Sequence, residues 1–392
     1  MYPLEGITVI ALEHAIAAPF CTRQLADLGA RVIKIERPRV GDFARSYDER
    51  VLGMSSSFVW ANRSKESLTL DLKQPTALEV LMRLLAGADV FIQNLAPGAA
   101  DRLGLDYESL SARFPELIVC GISGYGPDGP YRDKKAYDLL IQSEAGLLSI
   151  TGTPDSPAKA GCSIADIATG MYAYTNILSA LFKRQKTGQG CRIDISMLES
   201  MVEWMGFPMY YSIDGQSPPL RSGASHSTIF PYGPFTDGEG KTVILGLQNE
   251  REWKVFCSDV LRLPLLAGDH RFDSNSRRLE HRDELATIIK EVFASLTADE
   301  LTARLDAAGI ANAHLNDMQD VWTHPQLAAR NRWTNVMTEK GLVPVLLPPG
   351  ADASAKHEMH AVPSLGEHTD AILMELGFTR DQVQDMRAAY AI

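Results

Sequence analysis

One aspartate is the residue of this sequence best placed to do chemistry. Asp166 lies in the run Gly-Cys-Ser-Ile-Ala-Asp-Ile-Ala-Thr-Gly of residues 161–170, and apolar residues follow it at helical spacing, among them Ile177 and Leu181. This pattern predicts a buried helix with Asp166 near its N-terminus, where the helix dipole favours an anion. The carboxylate is either an N-cap that accepts backbone amides, worth about 1 kcal/mol, or an ionised nucleophile. The spacing alone favours the cap.

Two other side chains are weaker candidates for chemistry. Cys162 is close to Asp166 in sequence, but no histidine is near it, so a packing role is favoured. His14 follows the first predicted strand and could act as a base, although a single histidine there is more typical of a structural residue. The five cysteines include no C-x-x-C pair, which argues against a disulfide framework and a zinc site. No metal site is predicted.

The predicted elements that position these residues alternate between strand and helix. Strands are expected at 6–12, 32–35, 67–72, 89–93 and 117–122, and helices at 17–29, 76–86 and 97–103. Such alternation predicts an α/β fold with a doubly wound, mostly parallel, Rossmann-like sheet. Ligands of these sheets bind at the carboxyl ends of the strands, so chemistry is expected in the turns that follow each strand.

A second, smaller domain is expected in the C-terminal half. Residues 205–234 are rich in Gly, Pro, Ser and aromatic residues, which predicts a linker or a lid. Asp-Gly and Glu-Gly pairs within 235–246 predict a hairpin, and helical segments follow, so 235–314 is expected to form a small α+β domain. The large domain then comprises residues 1–204 and 315–392.

Bulk composition excludes several classes of partner. The chain has 392 residues, of which 45% are hydrophobic and 22% charged, as in an ordinary globular protein with room for two domains. The net charge of −11 argues against nucleic acid and acidic membrane surfaces as partners. No apolar run approaches the ~20 residues of a membrane span, and the N-terminus does not resemble a signal peptide, so a cytoplasmic protein is expected.

The common nucleotide and hydrolase motifs are missing from the sequence. The turn after the first strand has no G-x-G-x-x-G, which argues against a standard NAD or FAD site. Neither a G-x-x-x-x-G-K-[ST] phosphate loop nor a G-x-S-x-G nucleophile elbow is present. An anionic ligand would therefore need a basic site built from separate side chains. The first 140 residues offer candidates, although such side chains are usually solvated surface cations: Lys34, Arg37, Lys73, Arg102, Arg132, Lys134 and Lys135.

Short motifs in a fixed order resemble the class III coenzyme A transferases, the family of formyl-CoA transferase and carnitine CoA-transferase. The resemblance covers nearly the whole chain and is weakest between about 200 and 245. The motifs that carry it lie at residues 32–38, 41–42, 61–73, 94–98, 101–104, 121–126, 135–142, 161–170, 186–190 and 365–369.

The resemblance implies a role for particular residues. Asp166 matches the family's nucleophile, which carries CoA as a thioester, and Asp138 matches a glutamate of formyl-CoA transferase. Coenzyme A or acyl-CoA would then be a substrate, with no tightly bound cofactor, and a small carboxylic acid would be the second substrate. Ile16 stands where the family has a glutamine. The positions that match the coenzyme A contacts are Ile16, Ala17, Arg37, Leu72, Lys73, Asn94, Leu95, Arg102, Lys135 and Tyr137.

The resemblance also bears on assembly and substrate. Family members form an interlocked homodimer, so a homodimer is expected. The family's glycine-rich lid has no counterpart here, and residues 222–227 are the nearest candidate. Residues 137–204 most resemble members that handle succinyl-CoA and C4–C5 dicarboxylates such as itaconate, mesaconate or citramalate, with Arg221 and His226 as candidates to bind the distal carboxylate.

Two alternative functions remain open at this point. The α-methylacyl-CoA racemases share the fold and the aspartate, but they carry a histidine where this chain has Tyr137. A tyrosine titrates too high to replace that histidine easily as an acid–base group, so transfer is favoured. A non-catalytic CoA-binding protein is the third possibility, and the retained Asp166 argues against it.

Overall fold

The computed structural model describes residues 2–350 and 359–392. Residue 1 and residues 351–358, which fall within the predicted large domain, lie outside the described residues. The strands are β1 (Thr8–Leu12), β2 (Arg31–Glu36), β3 (Lys65–Thr69), β4 (Val90–Gln93), β5 (Ile118–Ser123), β6 (Gly152–Thr153), β7 (Ser156–Pro157), β8 (Arg192–Ser196), β9 (Tyr232–Thr236), β10 (Thr242–Gly246), β11 (Ala311–His314), β12 (Trp333–Thr338) and β13 (Gly341–Leu346).

The helices connect and flank these strands. They are α1 (Ala17–Asp27), α2 (Ser56–Asn62), α3 (Pro75–Ala86), α4 (Ala99–Arg102), α5 (Tyr107–Arg113), α6 (Asp138–Glu144), α7 (Leu147–Ile150), α8 (Ile164–Thr187), α9 (Met197–Trp204), α10 (Gly206–Tyr211), α11 (Glu250–Val255), α12 (Asn275–Glu280), α13 (Arg282–Phe293), α14 (Ala298–Ala307), α15 (Met318–Trp322), α16 (Pro325–Ala329), α17 (Thr369–Glu375) and α18 (Arg380–Ala388). Among the helices of the described residues, none is long and apolar enough to cross a membrane.

The chain divides into two compact units whose boundaries differ from the predicted ones. The first unit comprises Met1–Gly146, Ala160–Gly206 and Leu327–Ile392, and the second comprises Leu147–Lys159 and Phe207–Gln326. Segment 147–159 therefore lies in the second unit, as does most of the predicted linker. Two hydrogen bonds attach this segment to the second unit: Arg221 Nε donates to the carbonyl oxygen of Thr153 (2.9 Å), and the Gly223 N–H donates to Gly152 O (2.8 Å).

A six-stranded sheet forms the centre of the first unit. Its order is β3-β2-β1-β4-β5-β8, and every neighbouring pair is parallel. The strand order reverses between β1 and β4, which is the point where such sheets bind ligands. The predicted α/β fold with a mostly parallel sheet is confirmed, and β8 adds a sixth strand to the five expected in the first 122 residues.

Helices cover both faces of this sheet, because its strands carry apolar residues on both sides. On one face, Ile33 and Leu68 pack with Leu81 of α3 and Leu373 of α17. On the other face, Val9 and Ile118 pack with Leu25 of α1 and Ile177 of α8. The second layer matters for function, since it seats α1 and α8 side by side at the carboxyl edge of the sheet.

The second unit has its own core around a three-stranded antiparallel sheet. The order is β11-β10-β9, and β9 and β10 form the hairpin that the Asp-Gly and Glu-Gly pairs predict. Asp237 closes its turn by accepting the backbone N–H of Glu239 (2.8 Å) and of Lys241 (2.7 Å). Trp253, Phe256 and Phe293 are almost fully buried beneath this sheet.

Candidate active site

Asp166 lies in the first turn of α8 and also faces the start of a second helix. The backbone N–H of Ala17, the first residue of α1, acts on this carboxylate and favours its ionised form. The residue before α1, Ile16, has no side chain that could cap the helix, so Asp166 is the acidic group next to this helix N-terminus. The carboxylate therefore lies at the N-termini of two helices, both of which favour its negative charge.

A glycine allows the two helices to approach closely enough for this contact. A Cβ atom placed on Gly170 would lie 2.7 Å from the carbonyl oxygen of Ala17 and 2.9 Å from the ring of Phe20. Both distances are shorter than a van der Waals contact, so only glycine fits between α8 and α1 at this point. Gly170 stands four residues after Asp166, one helical turn further along, and so sets the distance between Asp166 and Ala17.

The N-cap role that the sequence assigned to Asp166 within its own helix belongs instead to Asp138. Asp138 Oδ1 accepts the backbone N–H of Ala165 in the first turn of α8, at 2.8 Å. Its Oδ2 accepts a hydrogen bond from Gln142 Nε2 at 2.6 Å, and Gln142 Oε1 in turn accepts the N–H of Ala160 at 2.9 Å. The capping expectation was wrong in its residue, because the acceptor comes from a helix 27 positions earlier in the chain.

Burial and charge shift the titration of the site. Burial, and after it the negative charge of Asp138, raise the pKa of Asp166 to about 7, while the Ala17 N–H acts in the opposite direction. Tyr47 faces the same carboxylate, since burial and the charges of Asp42 and Asp166 raise the pKa of this phenol to about 12. Asp166 is therefore a carboxylate whose ionised form is costly.

The residues expected to bind coenzyme A follow successive strands at the carboxyl edge of the sheet. Ile16 and Ala17 come after β1, Arg37 after β2, Leu72 and Lys73 after β3, Asn94 and Leu95 after β4, and Lys135 and Tyr137 after β5. Arg37, Lys73, Arg102 and Lys135 are exposed, whereas Ile16 and Ala17 are buried. The basic side chains are thus accessible to an anionic ligand.

The same residues do not form one compact cluster. Strands β3 and β5 are separated by three others in the sheet, so their ends lie about 19 Å apart at about 4.8 Å per strand spacing. A ligand that touches both Lys73 and Lys135 must be extended. Tyr137 precedes Asp138 directly and is 65% exposed, so its ring is free to contact such a ligand.

Several predicted residues are engaged elsewhere. Both polar atoms of the Asn94 amide bond to the backbone of His14, each at 2.9 Å, so this side chain holds a loop. Arg221 donates to two backbone carbonyls, and His226 Nδ1 accepts the N–H of Thr228 at 3.1 Å. Cys162 is exposed, which contradicts its expected packing role.

Sequence reasoning missed the buried charges next to the site. Four charged residues are buried there: Glu13 directly follows β1, Lys34 lies within β2, Asp42 lies in the loop after β2, and Lys65 is the first residue of β3. The sequence did indicate two of these positions, because Glu13 directly follows the first predicted strand and Asp42 belongs to the family motif at residues 41–42. A charge in such a place needs a partner, and only the fold shows which one. Among the described residues, no group of histidines, cysteines and carboxylates is arranged to hold a metal ion.

Comparison with known proteins gives a consistent result. A family model described as "CoA-transferase family III" matches residues 4–369. The succinyl-CoA:glutarate CoA-transferase of Mus musculus is 34% identical over 96% of this chain and 87% of its own. The acetyl-CoA:oxalate CoA-transferase of Acetobacter aceti is 36% identical over 84% of this chain and 85% of its own. The crystal structure of a CAIB/BAIF family protein from Brucella suis superimposes with a TM-score of 0.84 at 36% identity, covering 96% and 99% of the two chains.

Proposed function

Because this chain belongs to CoA-transferase family III and is a class III CoA-transferase, we propose that it moves CoA from succinyl-CoA to a small dicarboxylate through a thioester on Asp166. The observation that carries the proposal is the Asp166 carboxylate, buried enough to have its pKa raised to about 7 and held by the Ala17 N–H. An acid whose ordinary pKa is near 4 gains nucleophilicity from such a shift.

The proposed reaction has four bond exchanges. An Asp166 oxygen attacks the thioester carbonyl of the donor, which forms a mixed anhydride and releases CoA thiolate. The thiolate then attacks the aspartyl carbonyl and expels succinate, leaving CoA on Asp166 as a thioester. An acceptor carboxylate attacks that thioester to give a second anhydride and thiolate. Attack of the thiolate on the acceptor's carbonyl yields the new acyl-CoA and restores Asp166, so no group is gained or lost.

In the second and third exchanges the aspartyl carboxyl carbon becomes tetrahedral and its oxygen takes on negative charge. The Ala17 N–H faces this carboxylate and can stabilise that oxygen. Donors that are held in place before the reaction need no reorganisation when charge develops. Asp138, whose own oxygens are occupied by Ala165 and Gln142, is proposed to keep the pKa of Asp166 high and to hold α8 in place.

The coenzyme A site is proposed to follow the carboxyl edge of the sheet. Arg37, Arg102 and Lys135 are the exposed cations that would pair with its phosphates, and Lys73 extends the row. Ile16, Leu72, Leu95 and Tyr137 would line the apolar parts of the path. An extended ligand fits the distance between the ends of β3 and β5.

The choice of acids rests on the relatives and on the resemblance. Relatives named for glutarate and for oxalate both act on dicarboxylates, and one is named for succinyl-CoA and the other for acetyl-CoA. We therefore propose a C4–C5 dicarboxylate as the acceptor and succinyl-CoA as the donor. The protein should be incubated with either donor and a panel of C2–C6 mono- and dicarboxylates, and new acyl-CoA followed by mass spectrometry.

The expected result is a new C4–C5 acyl-CoA with succinyl-CoA, formed at least tenfold faster than any monocarboxylyl-CoA. Exchange confined to monocarboxylates would contradict the proposed substrate class but would still support CoA transfer.

For the racemase alternative, the same protein is incubated with a 2-methylacyl-CoA in deuterated water. Deuterium uptake at the α-carbon without any acyl exchange would overturn the transferase proposal, and Tyr137 at the position of the racemase histidine argues against that outcome.

The proposal includes a cytoplasmic location, as expected from the sequence, and a homodimer, as the resemblance implies. Light scattering of the purified full chain should give a mass about twice 43.0 kDa that does not fall on dilution, since interlocked chains separate only by unfolding. A single species of the monomer mass would contradict it.

A further inference from the structure

The loop that supplies the Ala17 amide is held by side chains on its far side. It joins β1 to α1, and the amide of Asn94 pairs with both the N–H and the C=O of His14. The next N–H, that of Ala15, donates to Asp42 Oδ1 at 3.1 Å. Ala15 has a φ angle of +60°, a conformation that alanine rarely adopts. The loop therefore needs these contacts to keep its shape.

Asp42 is itself fixed in place. Its Oδ2 accepts a hydrogen bond from Lys34 Nζ at 2.8 Å, its Oδ1 also accepts the N–H of Ala44 at 2.9 Å, and its own N–H donates to Glu36 Oε1 at 3.0 Å. The Asp42 and Lys34 side chains are both fully buried. The carboxylate consequently has one available position, and that position places Oδ1 against the Ala15 N–H.

Lys34 is locked by a second buried carboxylate. Its Nζ lies 3.4 Å from Glu13 Oε1, the atom to which Lys65 Nζ donates at 2.7 Å. Taking four charges out of water is costly, and replacing such pairs by apolar residues often leaves stability unchanged or improved. A role in setting geometry accounts for the cluster better than a contribution to stability does.

We propose that Asp42 is a positioning residue for CoA transfer: held by Lys34, it keeps Ala15 in its left-handed conformation and so keeps the Ala17 N–H facing the Asp166 carboxylate. The inference rests on the proposed role of Asp166. It assigns no contact between Asp42 and the substrate, because its carboxylate is fully buried and its oxygens are occupied. The charged and titratable groups that face Asp42 are Lys34, Glu36, His14 and Tyr47, and those that face Asp166 are Asp138 and Tyr47.

The test measures the titration of Asp166 without substrate, by infrared spectroscopy of protein labelled in its aspartate carboxyl groups, with the band assigned by Asp166→Asn. In Asp42→Ala the midpoint should rise by roughly one pH unit, because the ionised form loses the hydrogen bond from Ala17. The kcat for transfer should fall about tenfold or more while KM for acyl-CoA changes less than about threefold. Asp42→Asn keeps an oxygen for Ala15 and should lie close to wild type.

Asp27→Ala is the matched control, because it breaks another buried ion pair of the same unit, Asp27 with Arg63 at 2.7 Å, at the opposite end of α1. It should leave the Asp166 midpoint and kcat per folded molecule unchanged. A folded Asp42→Ala with the wild-type midpoint would overturn the proposal, as would an equal shift in Asp27→Ala. Adding Ala15→Gly to Asp42→Ala should recover part of the loss, since glycine adopts this conformation freely.

If Asp42→Ala does not fold, Ala15→Val tests the same step without disturbing a buried charge. A β-branched residue resists the left-handed conformation, so the Asp166 midpoint should again rise, and a wild-type midpoint would overturn the proposal. The titration needs no turnover. Absence of CoA exchange by the wild-type protein would refute the proposed function alone and would leave the positioning result to be decided by the midpoints.

Discussion

Replacing Asp166 by asparagine should lower kcat for CoA exchange by about 10⁴-fold or more, as expected when a nucleophile is removed. Asparagine keeps an oxygen that can accept the Ala17 N–H, so the local structure should persist. It cannot form the anhydride or the thioester, and no other described side chain holds an equivalent position between α1 and α8. The measurement is the rate of isotope exchange between labelled succinate and succinyl-CoA.

The stability of this variant separates loss of chemistry from loss of fold. The pKa of Asp166 is about 7 in the folded protein against an ordinary 3.8, so its ionised form destabilises the fold. That penalty is absent below about pH 4, grows as the pH rises, and is complete above about pH 7. Asp166→Asn should therefore melt a few degrees higher than wild type at pH 8 and not at pH 4.

The matched control is Asp133→Asn, an exposed neighbour of the site in sequence, which should match wild type in both activity and melting temperature. Full exchange activity in Asp166→Asn would show that Asp166 is not the nucleophile.

The second large effect concerns pH. Only the ionised carboxylate attacks a thioester, so kcat/KM should fall tenfold per pH unit below about pH 7, the pKa of Asp166 in the free enzyme. The relevant quantity is kcat/KM for succinyl-CoA, in which the acceptor acid takes no part, and the one free carboxyl of this donor titrates near pH 4, outside this range. Asp138→Asn should move this limb to lower pH by roughly one unit, because a negative charge that disfavours ionisation of Asp166 has been removed.

Asp138→Asn is the suitable variant for this test because its amide oxygen can still accept the Ala165 N–H that caps α8. Asp138→Ala loses both the charge and the cap, so its profile should show the same downward shift in a protein that is about 1 kcal/mol less stable. The measurement is the pH profile of kcat/KM for the wild type and both Asp138 variants, recorded with saturating acid from pH 5 to pH 9. An unchanged or raised limb in Asp138→Asn would contradict the electrostatic role assigned to Asp138.

Much of the fold could be predicted because its signals are local. The buried strands of the first unit read as apolar runs, and their alternation with helices predicts the parallel sheet that the structure has. The head of α8 was also predicted, since its apolar spacing begins after Ser163. Asp138 was singled out only by resemblance, and the hydrogen bond that makes it the cap of α8 spans 27 residues, so spacing within one helix could not reveal it.

The rest depended on contacts between distant segments. Nothing local indicates that Asp166 meets the amide of Ala17, because that contact requires two helices 149 positions apart in the chain to pack across Gly170. The same holds for segment 147–159, which Arg221 attaches to the second unit from 68 residues away. Buried charges such as Lys34 were counted among candidate surface cations, because a sequence gives the charge of a lysine and not its partner.

The most direct test of the account is to trap CoA on the protein during turnover. Wild-type protein is mixed with succinyl-CoA, quenched with hydroxylamine, digested and analysed by peptide mass spectrometry, with Asp166→Asn treated in parallel. The account predicts a hydroxamate on Asp166 in the peptide that contains residues 161–170, dependent on succinyl-CoA and absent from the variant. A hydroxamate on Asp138 in its place, or no hydroxamate on the protein while exchange proceeds, would contradict it.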